Sequence, residues 1–265
     1  MSLTTNSLKV SCTTCRRREA FYYRQSSGEK LCSVCLEESL KTHVKRSFSG
    51  RTKLGKNPII TVYIPADRIL EGFLLAYVLA KIEKKFGGMV SVMTSREVLD
   101  VIKERELDER LEEYKNVRYT VLDKVVEDIE CYTIKSLEKS LKNIKENVVL
   151  VEDTQAVLLP YTLTDLNEAF LEHVILGVGD LKILKTGEYL VNRIPLILPY
   201  ARVDRADVIA LSHVLKFVEL LDAEPILPKT NCRINKVIKD LVLQVTLKHP
   251  ELTHTMLKSI EFFPL

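Results

Sequence analysis

Tryptophan is missing from the 265 residues, and glycine occurs only nine times. That leaves no material for a Gly-rich linker or a low-complexity tract. No apolar run approaches the roughly 18 residues of a membrane-spanning helix. The opening MSLTTNSLKVSC lacks the apolar core and small-residue cleavage site of a secretory signal, so a cytosolic location is expected. No repeat recurs at a fixed period. HExxH, Walker-type and GxGxxG motifs are absent, and no Ser/His/Asp arrangement stands out. A further absence is local. In ITVYIPADRILEGFLLAYVL, residues 60–79, a β-branched run feeds a helical pattern carried by Leu74, Leu75, Val78 and Leu79. A strand feeding a helix often holds phosphate on the helix N-terminal amides, and that site usually needs glycines for close backbone approach. The break here is Pro65-Ala66-Asp67-Arg68-Ile69.

What is present begins with charge. Hydrophobic residues make up 46% and charged residues 28%, which places the chain among ordinary globular proteins. The net charge of +3 hides an asymmetry. Residues 1–56 hold twelve Lys and Arg against four Asp and Glu, an excess of eight positive charges. The rest of the chain holds 27 basic and 32 acidic residues. Basic charge gathered at one end forms an electrostatic footprint for a polyanion, and a solvated basic module is the plainer alternative.

Four of the six cysteines fall in two pairs. Cys12 and Cys15 form one C-x2-C, Cys32 and Cys35 a second, with sixteen residues between them. This spacing matches a closed tetrahedral zinc site, in which each tight knuckle supplies two thiolates. The intervening EAFYYRQSSGEK reads as a strand, a Ser-Ser-Gly turn and a return strand. A small zinc ribbon is therefore expected, structural because no coordination position is left open. Paired disulfides would need an oxidising compartment that nothing in the chain supports. Cys131 and Cys232 have no such neighbours and read as buried small hydrophobes. After Cys35, LEESLKTHVKRSF predicts a helix with Leu36, Leu40 and Val44 on one side. Arg16, Arg17, Arg18, Lys41, Lys45 and Arg46 are the candidate RNA contacts, with Tyr22 or Tyr23 placed to stack on an unpaired base. His43 reads as a solvent or phosphate contact, since four thiols already fill the metal site.

Beyond Pro58 strand and helix patterns alternate. Strands are expected at Ile59–Ile64, Met89–Met93, Arg118–Leu122 and Val148–Val151, with a weaker one at Glu224–Leu227. Helices are expected at Gly72–Lys85, Ser95–Tyr114, Ile134–Ile144 and Leu163–Ile175, and another is capped by Asp204. Such alternation predicts βαβ units and a mainly parallel, doubly wound sheet, with ligands at the carboxyl ends of its strands.

These residues resemble the tRNA 2-thiolation proteins of the PP-loop ATP pyrophosphatase superfamily. The double C-x2-C ribbon running into a basic helix and then the first strand carries the resemblance. So do LLAYVLAKI, TLTDLNEAFLEHVILG and the closing INKVIKDLVLQVTLKHPELTHTMLKSIEFF with its His249-Pro250 turn. The resemblance implies a PP-loop, HUP-like domain over 57–265 behind a zinc ribbon and basic helix at 1–56. The departures fall on the phosphate loop. Where the family's enzymes carry Ser-Gly-Gly-x-Asp-Ser, this chain has Asp67, Arg68, Ile69, Leu70, Glu71 and Gly72. An acid would repel phosphate there, and Ile69 would crowd a place where backbone should be bare. The family's enzymes also use a C-x-x-C and a later cysteine. Cys131 and Cys232 supply too little thiol for a cluster.

The resemblance thus implies a chain that is not an enzyme and has no catalytic residues, a phosphate-loop-degenerate subunit of the cytosolic tRNA 2-thiolation complex. Its expected partners are tRNA, a catalytic PP-loop thiolase paralogue and a ubiquitin-like sulfur carrier, with structural zinc as its metal. Two other readings stay open. One is a zinc-ribbon RNA-binding adaptor unrelated to thiolation. The other is an enzyme holding Mg²⁺ on Asp67, Glu71, Glu152, Asp153 and Asp165 at the strand ends.

Overall fold

A computed structural model describes residues 10–48, 54–122, 131–148, 151, 153–184, 190–191, 193–221 and 233–259. The chain starts with a hairpin, β1 (Tyr22–Arg24) and β2 (Glu29–Leu31), and a helix, α1 (Ser33–Phe48). Alternating units follow: β3 (Ile59–Ile64), α2 (Ile69–Glu83), β4 (Met89–Ser95), α3 (Arg96–Glu104), α4 (Asp108–Glu112) and β5 (Val117–Leu122). Then come α5 (Thr133–Asn147), β6 (Thr154–Leu158), α6 (Leu163–Leu176), β7 (Leu190–Val191) and β8 (Ile194–Ile197). Three helices close the described chain: α7 (Arg205–Leu215), α8 (Arg233–Lys248) and α9 (Pro250–Ser259). The main sheet runs β5-β4-β3-β6-β8-β7, parallel throughout except for the antiparallel edge strand β7.

The apolar run of β3 is explained by cover on both sides. Ile60, Val62 and Ile64 point into a core shared with α2 and α7, while Tyr63 points into the core of α5 and α6. Gly72 lies in the first turns of α2, not in a loop. A Cβ there would stand 2.8 Å from Ile64, so glycine lets the helix settle onto β3.

The ribbon packs on this domain through α1. Leu36, Leu40 and Val44 are fully buried, as their spacing predicts, and belong to the same core as α2. Arg24 reaches across to Asp207 at the start of α7, with Nη2 2.8 Å from Oδ2. Asp204 occupies the N-cap position of α7 but makes no cap hydrogen bond; burial raises its pKa, and the nearby Ser26 of the hairpin turn works against that rise. Glu37 pairs with both Lys81 of α2 (2.6 Å) and Lys41 (2.9 Å).

Two expected elements differ. The helix drawn over Ser95–Tyr114 is two helices. Glu106 adopts a left-handed backbone (φ 55), and Leu107 N donates to Ile102 O, a Schellman-type stop. The bend lets Leu107 and Leu111 reach the same core as Ile102. Of the strand expected at Val148–Val151, Val148 and Val151 stand outside any strand and residues 149–150 lie outside the described residues; α5 runs to Asn147, and the described strand of this region is Thr154–Leu158. Val148 and Val151 are buried, which produced the apolar signal. Glu224–Leu227 lies outside the described residues. The edge pair β7–β8 was not foreseen; its few residues carry too little periodicity to register.

Glu172 of α6 organises two helix starts. Its Oε1 accepts from Thr133 N (2.9 Å) and Asn235 Nδ2 (2.7 Å), and its Oε2 accepts from Ile134 N (2.9 Å). A buried carboxylate thus caps α5 and holds α8. Glu172→Ala is expected to strand three donors and cost roughly 3 kcal/mol in urea unfolding. Glu172→Gln, which keeps one acceptor, should recover part of that.

Candidate metal centre and strand-end crevice

Cys12, Cys15, Cys32 and Cys35 are free thiols whose sulfurs all lie within 4.8 Å of one another. They form the one group of potential metal ligands found among the described residues. The two knuckles are brought together by the hairpin: Thr13 N donates to Lys30 O (2.8 Å), lacing the first knuckle to β2. Arg16 takes a left-handed backbone (φ 54) and donates its N–H to Cys12 O (2.9 Å). That turn aims the Arg17 and Arg18 amides at the Cys15 sulfur. Burial opposes ionisation of Cys12, but the amides of Cys15, Cys32 and Thr14 outweigh it and bring its pKa down to about 6. Cys15 is lowered too, chiefly by the Arg17 amide. Burial pushes Cys35 up to about 12, so metal binding would release its proton.

The geometry suits a single ion. Cys15 and Cys32 sulfurs are 3.8 Å apart. Four thiolates at about 2.3 Å from one metal are separated by about that tetrahedral edge. A four-iron cubane holds its thiolates farther apart, at the corners of a larger box. Bound metal here would cross-link two knuckles that have little apolar core of their own.

Among the expected RNA contacts, Arg16, Arg17, Lys45 and Arg46 are exposed. Arg18 is exposed as well, and the nearby Cys32 and Cys15 sulfurs raise its pKa. Lys41 is held by Glu37 and Glu38. His43 is half-buried, and burial with the nearby Arg24 keeps its pKa below the usual histidine value.

The second feature lies where the sheet changes winding direction, between the carboxyl ends of β3 and β6. Ligands of doubly wound sheets bind at such a point. The loop after β3 brings Arg68 there. Its Nε and Nη2 contact Asp165 Oδ1 at 3.1 and 2.9 Å, and its Nη1 bonds the Asp67 backbone oxygen (2.6 Å) and Oδ2 (3.3 Å). The guanidinium carbon stands 5.7 Å from the Tyr161 ring centre. Asp165 also closes a capping box with Thr162 at the start of α6. Burial would raise the Asp165 pKa; Arg68, Arg205 and the Thr162 amide together hold it below the usual carboxylate range. Beside this pair, Arg205 Nε donates to Glu71 Oε1 at 2.6 Å. Glu71 is fully buried, and its Oε2 has no hydrogen-bond partner among the described residues. Arg205 was missed from the sequence, because nothing local marks a residue 134 positions from its partner.

Among the described residues the acidic metal site does not assemble. Asp67 and Asp165 bind Arg68, and Glu71 binds Arg205. Asp153 precedes β6 and so lies at the opposite end of the sheet. Glu152 lies outside the described residues. Cys131 is half-buried, not the fully buried small hydrophobe expected. Cys232 lies outside the described residues.

The described chain is thus a mainly parallel, doubly wound α/β domain behind a four-cysteine ribbon. Among solved structures the chain is similar to the U34-tRNA thiolase NcsA from Methanococcus maripaludis with its [4Fe-4S] cluster, at TM-score 0.68. The two share 18% identity over 96% of this chain and 87% of that one, a likeness of fold. No family model matches the chain, and no curated protein matches it.

This comparison corrects the expectation that the chain is not an enzyme. A solved protein that shares its fold is itself a thiolase. The two physical arguments for lost chemistry also fail on the geometry. Asp67 is not a bare charge, since Arg68 lies 3.3 Å from its Oδ2. Ile69 does not crowd the crevice, because it is buried in the core beneath α2, as is Leu70. No helix among the described residues is long and apolar enough to cross a membrane.

Proposed function

We propose that this protein acts in 2-thiolation of the wobble uridine of cytosolic tRNA. It binds tRNA through the basic ribbon module and works with a second thiolase-fold chain and a ubiquitin-like sulfur carrier. The metal of the ribbon is zinc, with Cys12, Cys15, Cys32 and Cys35 as its ligands. The observation that carries this reading is the thiolase-like fold over nearly the whole chain. The clustered thiols and the basic excess of residues 1–56 support it. Zinc is favoured over a cluster by the 3.8 Å sulfur separation.

The test is a deletion strain whose bulk tRNA is digested and analysed by mass spectrometry for 2-thiouridine at the wobble position. A severe loss, restored by the intact gene, is the expected result. Normal thiouridine content would remove the role. If tRNA still co-purified with the protein in that case, the adaptor reading would stand in its place.

A further inference from the structure

The hairpin of the ribbon sorts its aromatic residues onto two faces. Side chains alternate along a strand, so residues two apart share a face. Tyr22 and Arg24 turn inward: Tyr22 packs against the main core, and Arg24 ties to Asp207. Phe21 and Tyr23 turn outward and are 48% and 54% exposed. The row extends beyond the two-stranded ladder, because Phe21 N donates to Leu31 O (3.0 Å). Lys30 is the direct cross-strand partner of Tyr23, so it stands on the same outward face, and it too is exposed.

Charge identifies what this face fits. Glu29, the acid next to Lys30, is drawn to the inward face by Arg24 (2.8 Å) and Ser27 (2.8 Å). Glu19, at the metal end of the row, is engaged within the chain. Arg16 and Arg17 stand exposed on the adjoining knuckle. A module this small has little apolar surface to spare, and Tyr22 already serves its packing. Two half-exposed aromatic rings, Phe21 resting 6.2 Å from the Tyr22 ring, stand beside cations and suit flat, apolar-faced groups strung on a polyanion. Unpaired nucleic-acid bases are such groups: each has a π-face to stack, and the linking phosphates meet the lysine and arginines.

We propose that Phe21 and Tyr23 form a platform that stacks unpaired bases of an RNA loop, with Lys30, Arg16 and Arg17 holding the flanking phosphates. This deepens the function proposed above and rests on it for the RNA being a tRNA. The structure replaces the Tyr22-or-Tyr23 choice left by the sequence with Phe21 and Tyr23 together.

The experiment uses the full-length protein and two synthetic RNAs, an anticodon-type stem-loop and a fully paired duplex of equal length. Because the chain has no tryptophan, Tyr23→Trp installs a single indole emitter. Its emission should be quenched by the stem-loop and little changed by the duplex. The Phe21→Ala/Tyr23→Ala double variant should bind the stem-loop about tenfold more weakly. It should bind the duplex as the parent does and keep its full metal content. Equal stem-loop affinity in parent and double variant would overturn the proposal, as would an unquenched indole. Stacking in a protein whose deletion leaves 2-thiouridine intact removes the thiolation reading and keeps this one. Lost thiouridine without stacking does the reverse.

Discussion

Arg68→Ala is expected to destabilise the protein by about 4 kcal/mol, because it leaves Asp165 buried without its counter-ion. Both side chains are almost wholly buried, at 7% and 1% exposed, so solvent cannot take over the charge. The same change frees Asp67 from its 3.3 Å contact and adds negative charge to the crevice. Urea unfolding at neutral pH measures the loss. Asp165→Asn tests the pair from the other side and supplies a pH signature. The folded-state pKa of Asp165 lies below its unfolded value. Its contribution is therefore present above the ordinary carboxylate range, about pH 4, and is lost as pH falls through the depressed pKa. The gap in stability between parent and Asp165→Asn should be widest at neutral pH and close in acid. A gap that stayed constant from pH 7 down to pH 2 would show that Asp165 does not ionise against Arg68.

Cys32→Ser is expected to abolish metal binding and unfold the ribbon. Cys32 is almost fully buried, and its sulfur lies 3.8 Å from that of Cys15 at the centre of the group. Three thiolates and a hydroxyl form a poor site for a soft-ligand ion, and a metal-folded module loses its folding energy with its metal. Elemental analysis should give one zinc per chain for the parent and none for the variant. Limited proteolysis should then cut the variant within residues 10–35. The effect should spread, since Cys12, Leu31 and Cys32 share a core with α1 and α2. A parent protein purified under reducing conditions that carried iron and sulfide in these thiols would replace zinc with a cluster.

Much of the α/β frame was legible in the sequence. The run Ile59–Ile64 is a strand with those bounds, and the pattern of Leu36, Leu40 and Val44 marks the buried side of α1. The cysteine spacing pointed to a group that the structure brings together. The loop after β3 was misread because each residue was judged alone. Asp67 looked like a naked charge and Ile69 like an obstruction, whereas one is paired and the other faces the core.

What the sequence determined by itself are the features with short-range causes. Strand alternation, helical periodicity and the bite of a C-x2-C knuckle are set by covalent geometry over a few residues, so they can be read locally. What only the tertiary structure decided are the meetings of distant groups. Arg68 finds Asp165 across 97 residues because β3 and β6 lie side by side in the sheet. Glu71 finds Arg205 across 134 because α7 packs against α2. The hairpin shows the same division. Its alternation was present in FYYR, but which ring faces inward depended on Asp207 standing where Arg24 could reach it. Burial and ion pairing act through space, and sequence order does not record which elements will be neighbours.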